Sequence, residues 1–240
     1  MIINISIFYT ILRISFLNSF NLLKIIKQNY MKNLLNVWKK ELSDKNFKLT
    51  AIIAPILIVF TMIIFTRFLN FIELRPGVVL PDPLLALFNP IDISWFTFLI
   101  MYGALIAGIL SLISHPKHLV LALISYMIMI YFRIPAMWSI PLEAPATILP
   151  LIDPMVSEVG VGRLMTKDLF FSGHTATIML IYLCSPTKKW RIIFLTLTII
   201  VALAVLVQHV HYTVDVIAAP FFAYISYYLG IKISNKLYNN

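Results

Sequence analysis

Six stretches of the chain, at 50–69, 94–113, 118–137, 169–186, 190–209 and 212–231, are each long and apolar enough to cross a bilayer as a helix. With 60% of the 240 residues hydrophobic, 12% charged and a mean hydropathy of +0.91, a soluble domain could not hide the apolar surface, and the bilayer is the solvent. The apolar runs are continuous and lack the alternation of a transmembrane barrel. The expected fold is therefore all-α: a polytopic six-transmembrane-helix bundle forming one domain at 50–231. Residues 1–49 precede it as a cytoplasmic or interfacial segment, and 232–240 follow as a cytoplasmic tail.

A formal charge of +9 invites a nucleic-acid reading, but the basic residues sit between apolar segments rather than in one patch, and topology accounts for them. Lys32, Lys39, Lys40, Lys45, Lys48, Lys117, Lys188, Lys189, Arg191, Lys232 and Lys236 all fall on one side of six alternating spans. The other side has Arg75, Arg163 and Lys167, with Arg67 and Arg133 near span ends. The positive-inside bias then predicts both termini in the cytoplasm. Met1 to Tyr30 is apolar with Arg13, Lys24 and Lys27; it reads either as an interfacial helix or as sequence upstream of a true start at Met31. Cys184, the single cysteine, lies in an apolar run and is expected to pack there, with no disulfide framework.

The chemistry concentrates in two short motifs, Ser172-Gly173-His174-Thr175 and His211-Tyr212-Thr213-Val214-Asp215. Charge counting places His174 in the first turns of the fourth span, His211 at the end of the fifth and Asp215 at the start of the sixth, all at one face and at similar depth. With His211 opening a helix, Asp215 is its i+4 neighbour. A carboxylate there accepts the Nδ1 proton and leaves Nε2 as a nucleophile, while His174 serves as general acid. Ser172 and the Gly173 amide, near a helix N-terminus, could donate to phosphoryl oxygens. A purely structural role for the three residues remains as an alternative, although a carboxylate at membrane depth is costly without a partner. A metal site would need His174 or His209 beside His211 and Asp215, and no familiar ligand spacing is present; no metal or cofactor is expected. His115 and His118 fall at the opposite face.

These motifs resemble the type-2 phosphatidic acid phosphatase superfamily and, more narrowly, its sphingomyelin synthase-like branch. The matching pieces are Asp168-Leu169-Phe170-Phe171-Ser172-Gly173-His174-Thr175, His211-Tyr212-Thr213-Val214-Asp215-Val216, Leu80-Pro81-Asp82, and Arg133-Ile134-Pro135-Ala136-Met137-Trp138 running on to Pro141-Leu142-Glu143-Ala144-Pro145. The resemblance covers about residues 75 to 230. It implies that His211 takes the phospho-headgroup from a glycerophospholipid and releases diacylglycerol, with His174 protonating the leaving oxygen. A lipid alcohol such as ceramide, or water, then attacks the phosphohistidine.

The sequence departs from both branches. Phosphatases of the superfamily carry Lys-x6-Arg-Pro and an arginine six residues before the nucleophile; here Phe68 and Val205 hold the lysine and arginine positions. Fewer cations suit the single charge of a phosphodiester better than a phosphomonoester. Against the synthases, Lys167 replaces a usual glycine and Ala219-Pro220 an aromatic pair. Arg133 is a candidate phosphate contact, with snorkelling as its alternative role. Trp138, Glu143, Glu158 and Asp168 are candidates to meet a headgroup ammonium.

The expected protein is an integral membrane phospho-headgroup transferase of the extracytoplasmic leaflet, moving phosphocholine or phosphoethanolamine from a phospholipid donor to a lipid alcohol. Its rivals are a lipid phosphate phosphatase or phospholipase C-type hydrolase and, in another class, a non-catalytic lipid-binding membrane protein. The isoleucine and asparagine content suggests an AT-rich bacterial genome and an inner-membrane location.

Overall fold

The computed structural model describes residues 24, 27–151 and 165–238. The chain divides into two units, residues 1–44 and 45–240. In the first, residues 27–41 form helix α1. In the second, the described residues form α2 (Lys45–Leu74), α3 (Ser94–Ile113), α4 (Pro116–Ser139), α5 (Gly173–Cys184), α6 (Lys188–Val207) and α7 (Thr213–Tyr238), with a 3₁₀ turn at Leu85–Leu87. No strand occurs among the described residues beyond a single parallel bridge between Val78 and Leu142.

Five of these helices are long and apolar enough to cross a membrane, and the protein is an integral membrane protein on that ground. Helices are the form such sequences take because each satisfies its own backbone polar groups in lipid. The fourth expected span, 169–186, is helical only over the 12 residues of α5. That is a rise of about 18 Å against a hydrocarbon core of about 30 Å. The reason is local. Ser172 caps the helix from a non-helical conformation, and the irregular chain before it is enclosed by protein, with Leu169 and Phe171 at 2% and 0% exposure. Irregular backbone at membrane depth is tolerated in such enclosed places. Elsewhere the helices overrun their expected limits: α2 starts at Lys45 and α7 continues to Tyr238.

Helix α4 packs most extensively on α7, and α5 lies against both α6 and α7. Small residues set the closest approaches. A Cβ on Gly108 would stand 2.9 Å from Ile181 Cγ2, and one on Gly230 would strike the Ser125 hydroxyl. The Phe171 ring lies parallel to Phe222 of α7, centroids 4.2 Å apart, which fixes the chain just ahead of Ser172.

The ends of α2, α4 and α6 meet the starts of α3, α5 and α7 at one end of the bundle. There the Ser172 amide donates to the Asp215 carbonyl at 3.1 Å, and the Ile91 amide to Val207 at 3.0 Å. Loops knit this end together. The Val78 amide donates to Pro141 and the Glu143 amide to Val78. Glu73 accepts from the amides of Thr166 and Lys167, both at 3.0 Å. At the opposite end His118 Nδ1 lies 2.9 Å from the Cys184 carbonyl, and Arg191 Nε donates to Ser185.

Candidate active site

The turn after α6 makes the site possible. His209 sits at φ 55°, in the left-handed region, directly after the C-cap Gln208. Its amide bonds Leu206 at 2.9 Å while that of Val210 bonds Val205 at 2.9 Å, the paired bonds of a Schellman stop. Histidine there is uncommon, and its side chain is anchored: Nδ1 lies 2.5 Å from the Thr147 hydroxyl and the ring meets the edge of Phe88. Gln208 is fully buried, donating to Ser94 and accepting from Thr97. The chain therefore folds back sharply and delivers His211 to the interior.

There the structure brings three of the expected residues together. His211 Nδ1 lies 3.4 Å from Asp215 Oδ2, and the same oxygen accepts the Tyr212 amide at 3.0 Å. On its other side His211 Nε2 faces His174 Nδ1 at 3.3 Å. His211 and Asp215 are almost wholly buried. A carboxylate on Nδ1 requires that nitrogen to carry the proton, so Nε2 of His211 is the acceptor and His174 Nδ1 the donor. The three side chains form one directed file of hydrogen bonds.

Arg133 completes the group from α4. It is 6% exposed, too buried to be snorkelling, and it pairs with Asp168. Its guanidinium presses against the start of α5: a Cβ at Gly173 would stand 2.5 Å from Nη1. Glycine at 173 thus makes room for this arginine. A cation held against the positive end of a helix dipole is unfavourable by itself and becomes favourable once an anion lies between them. Arg133 Nε, buried, has no hydrogen-bond partner among the described residues.

The other candidates are placed differently. Ser172 is fully buried, and its hydroxyl accepts the Thr175 amide as an N-cap, so it faces into α5 and not toward the histidines. Glu143 accepts from Lys167 Nζ at 2.7 Å and from the Gly77 amide at 2.9 Å. The Lys167 ammonium holds its carboxyl below the usual carboxylate range, against a smaller opposing effect of burial. Trp138 is 53% exposed, stacked on Phe71 with Arg75 over its ring. Glu143 belongs to the loop framework and Trp138 to the last turn of α4, and neither contacts the histidine pair. Glu158 and Arg163 lie outside the described residues. Cys184 is buried among α5 contacts.

One residue gained no role from its sequence position. Asp82 receives the Thr213 amide at 2.6 Å and the Thr213 hydroxyl at 2.9 Å, and so caps α7 from a distant loop. Burial alone would raise its carboxyl, yet the bonds from Thr213, Leu85 and Leu84 hold it below its ordinary value of 3.8. Tyr212 adds a second clamp, its hydroxyl accepting from the Leu80 amide and donating to the Glu143 carbonyl. The sequence did carry a signal for this: Tyr212, immediately before α7, has no carboxylate or short hydroxyl with which to cap it.

Among the described residues no group of three or more His, Cys, Asp or Glu side chains could hold a metal ion. Compared with known proteins, residues 166–231 match the family described as PAP2 superfamily C-terminal. No curated protein and no solved structure matches the chain. The matched segment covers α5, α6 and α7 as far as residue 231, and with them His174, His211 and Asp215. Over its C-terminal third, which holds this file of hydrogen bonds, the chain is thus similar to the type-2 phosphatidic acid phosphatase superfamily.

Proposed function

We propose that the protein is a phospho-headgroup transferase of the sphingomyelin synthase type, working through a phosphohistidine at His211. The observation that carries this reading is the file Asp215–His211–His174, with the Arg133 guanidinium beside it at the N-terminus of α5.

The donor's phosphodiester enters between the two imidazoles and opens their hydrogen bond. Arg133 Nε and the first amides of α5 receive its non-bridging oxygens. His211 Nε2 attacks phosphorus, and the bond to the diacylglycerol oxygen breaks. His174 gives that oxygen its proton, while His211 Nδ1 keeps its own proton, hydrogen-bonded to the Asp215 carboxylate, as positive charge grows on the ring. In the second half a lipid alcohol such as ceramide, its proton taken by His174, attacks phosphorus and releases His211.

Charge favours a diester over a monoester. Arg133 is already balanced by Asp168, and Lys167 by Glu143, which leaves little positive surplus for a doubly charged phosphate. Water in place of the alcohol would make the protein a phospholipase C-type hydrolase, and inorganic phosphate from phosphatidic acid would make it a phosphatase. The bundle end holding His174 and His211 is opposite the basic turns at Lys117 and Lys188–Arg191, and the positive-inside bias supports a reaction at the extracytoplasmic leaflet.

The test is headgroup transfer by purified protein in mixed micelles. Phosphatidylcholine, phosphatidylethanolamine or phosphatidic acid serves as donor, with and without ceramide, and all lipid products are resolved. A phosphosphingolipid is the expected product; inorganic phosphate from phosphatidic acid alone would overturn the transferase reading. His211→Ala should lower turnover by at least about 10⁴-fold and abolish the acid-labile phosphoprotein. Retained activity in that variant would remove His211 as nucleophile.

A further inference from the structure

Helix α1 has a construction that the catalytic reading leaves unused. Tyr30, Met31, Leu34, Leu35 and Trp38 recur at the spacing of one helical stripe. The opposite stripe carries Asn29, Lys32, Asn33, Asn36, Lys39 and Lys40. Over residues 24–41 five lysines face one acid, Glu41. Met31 and Leu35 are 44% and 63% exposed.

We propose that α1 lies flat in the interface of an anionic leaflet, with its apolar stripe in the acyl boundary and its lysines among acidic headgroups. Three features argue for lipid over a protein partner. Lys32, Lys39 and Lys40 stand on the polar stripe, while Lys24 and Lys27 lie one to two turns before Met31 in line with the apolar one, so positive charge is spread from end to end of the helix, which matches a surface of diffuse negative charge. Lysine stems reach from the flanks of such a helix to the headgroup level while their methylenes stay in apolar surroundings. Lys45, the first residue of membrane-crossing α2, follows Glu41 by four positions, so chain connectivity brings the segment to a bilayer surface. The inference is independent of which reaction the histidines perform.

The experiment uses the full chain with Cys184→Ala and a fluorophore on Leu35→Cys, in nanodiscs of phosphatidylcholine alone or with about a third phosphatidylglycerol. Quenching by spin-labelled lipid should be strong in the anionic discs and weak in the neutral ones. It should fall at about 0.5 M salt, and each lysine among Lys32, Lys39 and Lys40 changed to Gln should lower surface occupancy about fivefold. A label on Asn36→Cys should stay open to aqueous iodide throughout, which separates a flat helix from general burial. Iodide access to the Leu35 label in both lipids would overturn the proposal. Equal lipid quenching with and without phosphatidylglycerol would overturn its charge selectivity, and shielding that grows with the number of chains per disc would assign the stripe to a second copy.

Discussion

Asp82 holds the turn that carries His211, the proposed nucleophile, without touching that residue. Its bonds to Thr213 fix the first turn of α7, two residues after His211 and two before Asp215. Asp82→Ala should therefore destabilise the protein by about 1 kcal/mol, the usual worth of a lost helix cap, and lower turnover by misaligning the His211–Asp215 pair. The pH dependence has a definite sign. A carboxyl held below its unfolded value contributes fully above that value, and the contribution disappears as pH falls through the depressed one. Thermal unfolding in detergent should separate wild type from Asp82→Ala near neutral pH, with the gap closing as pH falls below the ordinary value of 3.8. An unchanged gap would mean that Thr213 does not depend on the ionised carboxylate. Gly173→Ala is the counterpart at the arginine: the added methyl would displace Arg133, and turnover should drop with little change in the unfolding midpoint.

Between elements, the site depends on how α6 stops. His209→Gly keeps the left-handed turn but gives up the anchor to Thr147, so stability should change little while activity falls. A β-branched His209→Val meets the turn itself and should cost more than about 1 kcal/mol. Unfolding midpoints of the two variants, measured side by side, check the ordering. This scale also shows what sequence can and cannot convey. Apolar length predicted five of the helices well, because lipid demands it. It overextended α5, because Leu169, Phe170 and Phe171 are as apolar as any helix interior yet form irregular chain, with Leu169 and Phe171 buried and both phenylalanines packed on Phe222. The sequence anticipated His211 beside Asp215 by placing His211 at the start of a helix, but His211 lies in the turn two residues before α7, and Asp215 reaches back to it and to the Tyr212 amide. The pairings of Arg133 with Asp168 and of Glu143 with Lys167 were not legible, since each joins segments that only the folded loops bring together. The same holds for Ser172, whose capping role is a matter of which way its hydroxyl turns.

For the whole molecule, orientation and depth decide which lipids the site meets. A reporter fused after Asn240 should be cytoplasmic, and an extracytoplasmic signal would move the proposed reaction to the other leaflet. Depth follows from the short α5. A turn of only three residues joins it to α6, which rises about 30 Å where α5 rises about 18 Å, so His174 starts well below the far end of its neighbour. The fold-back at His209 lowers His211 to meet it. A reaction centre sunk into the bilayer is fed by lateral diffusion, and for such a centre concentration is counted in two dimensions. Its velocity should follow the mole fraction of donor lipid in the surface and stay constant when the same mixed micelles are simply diluted with buffer.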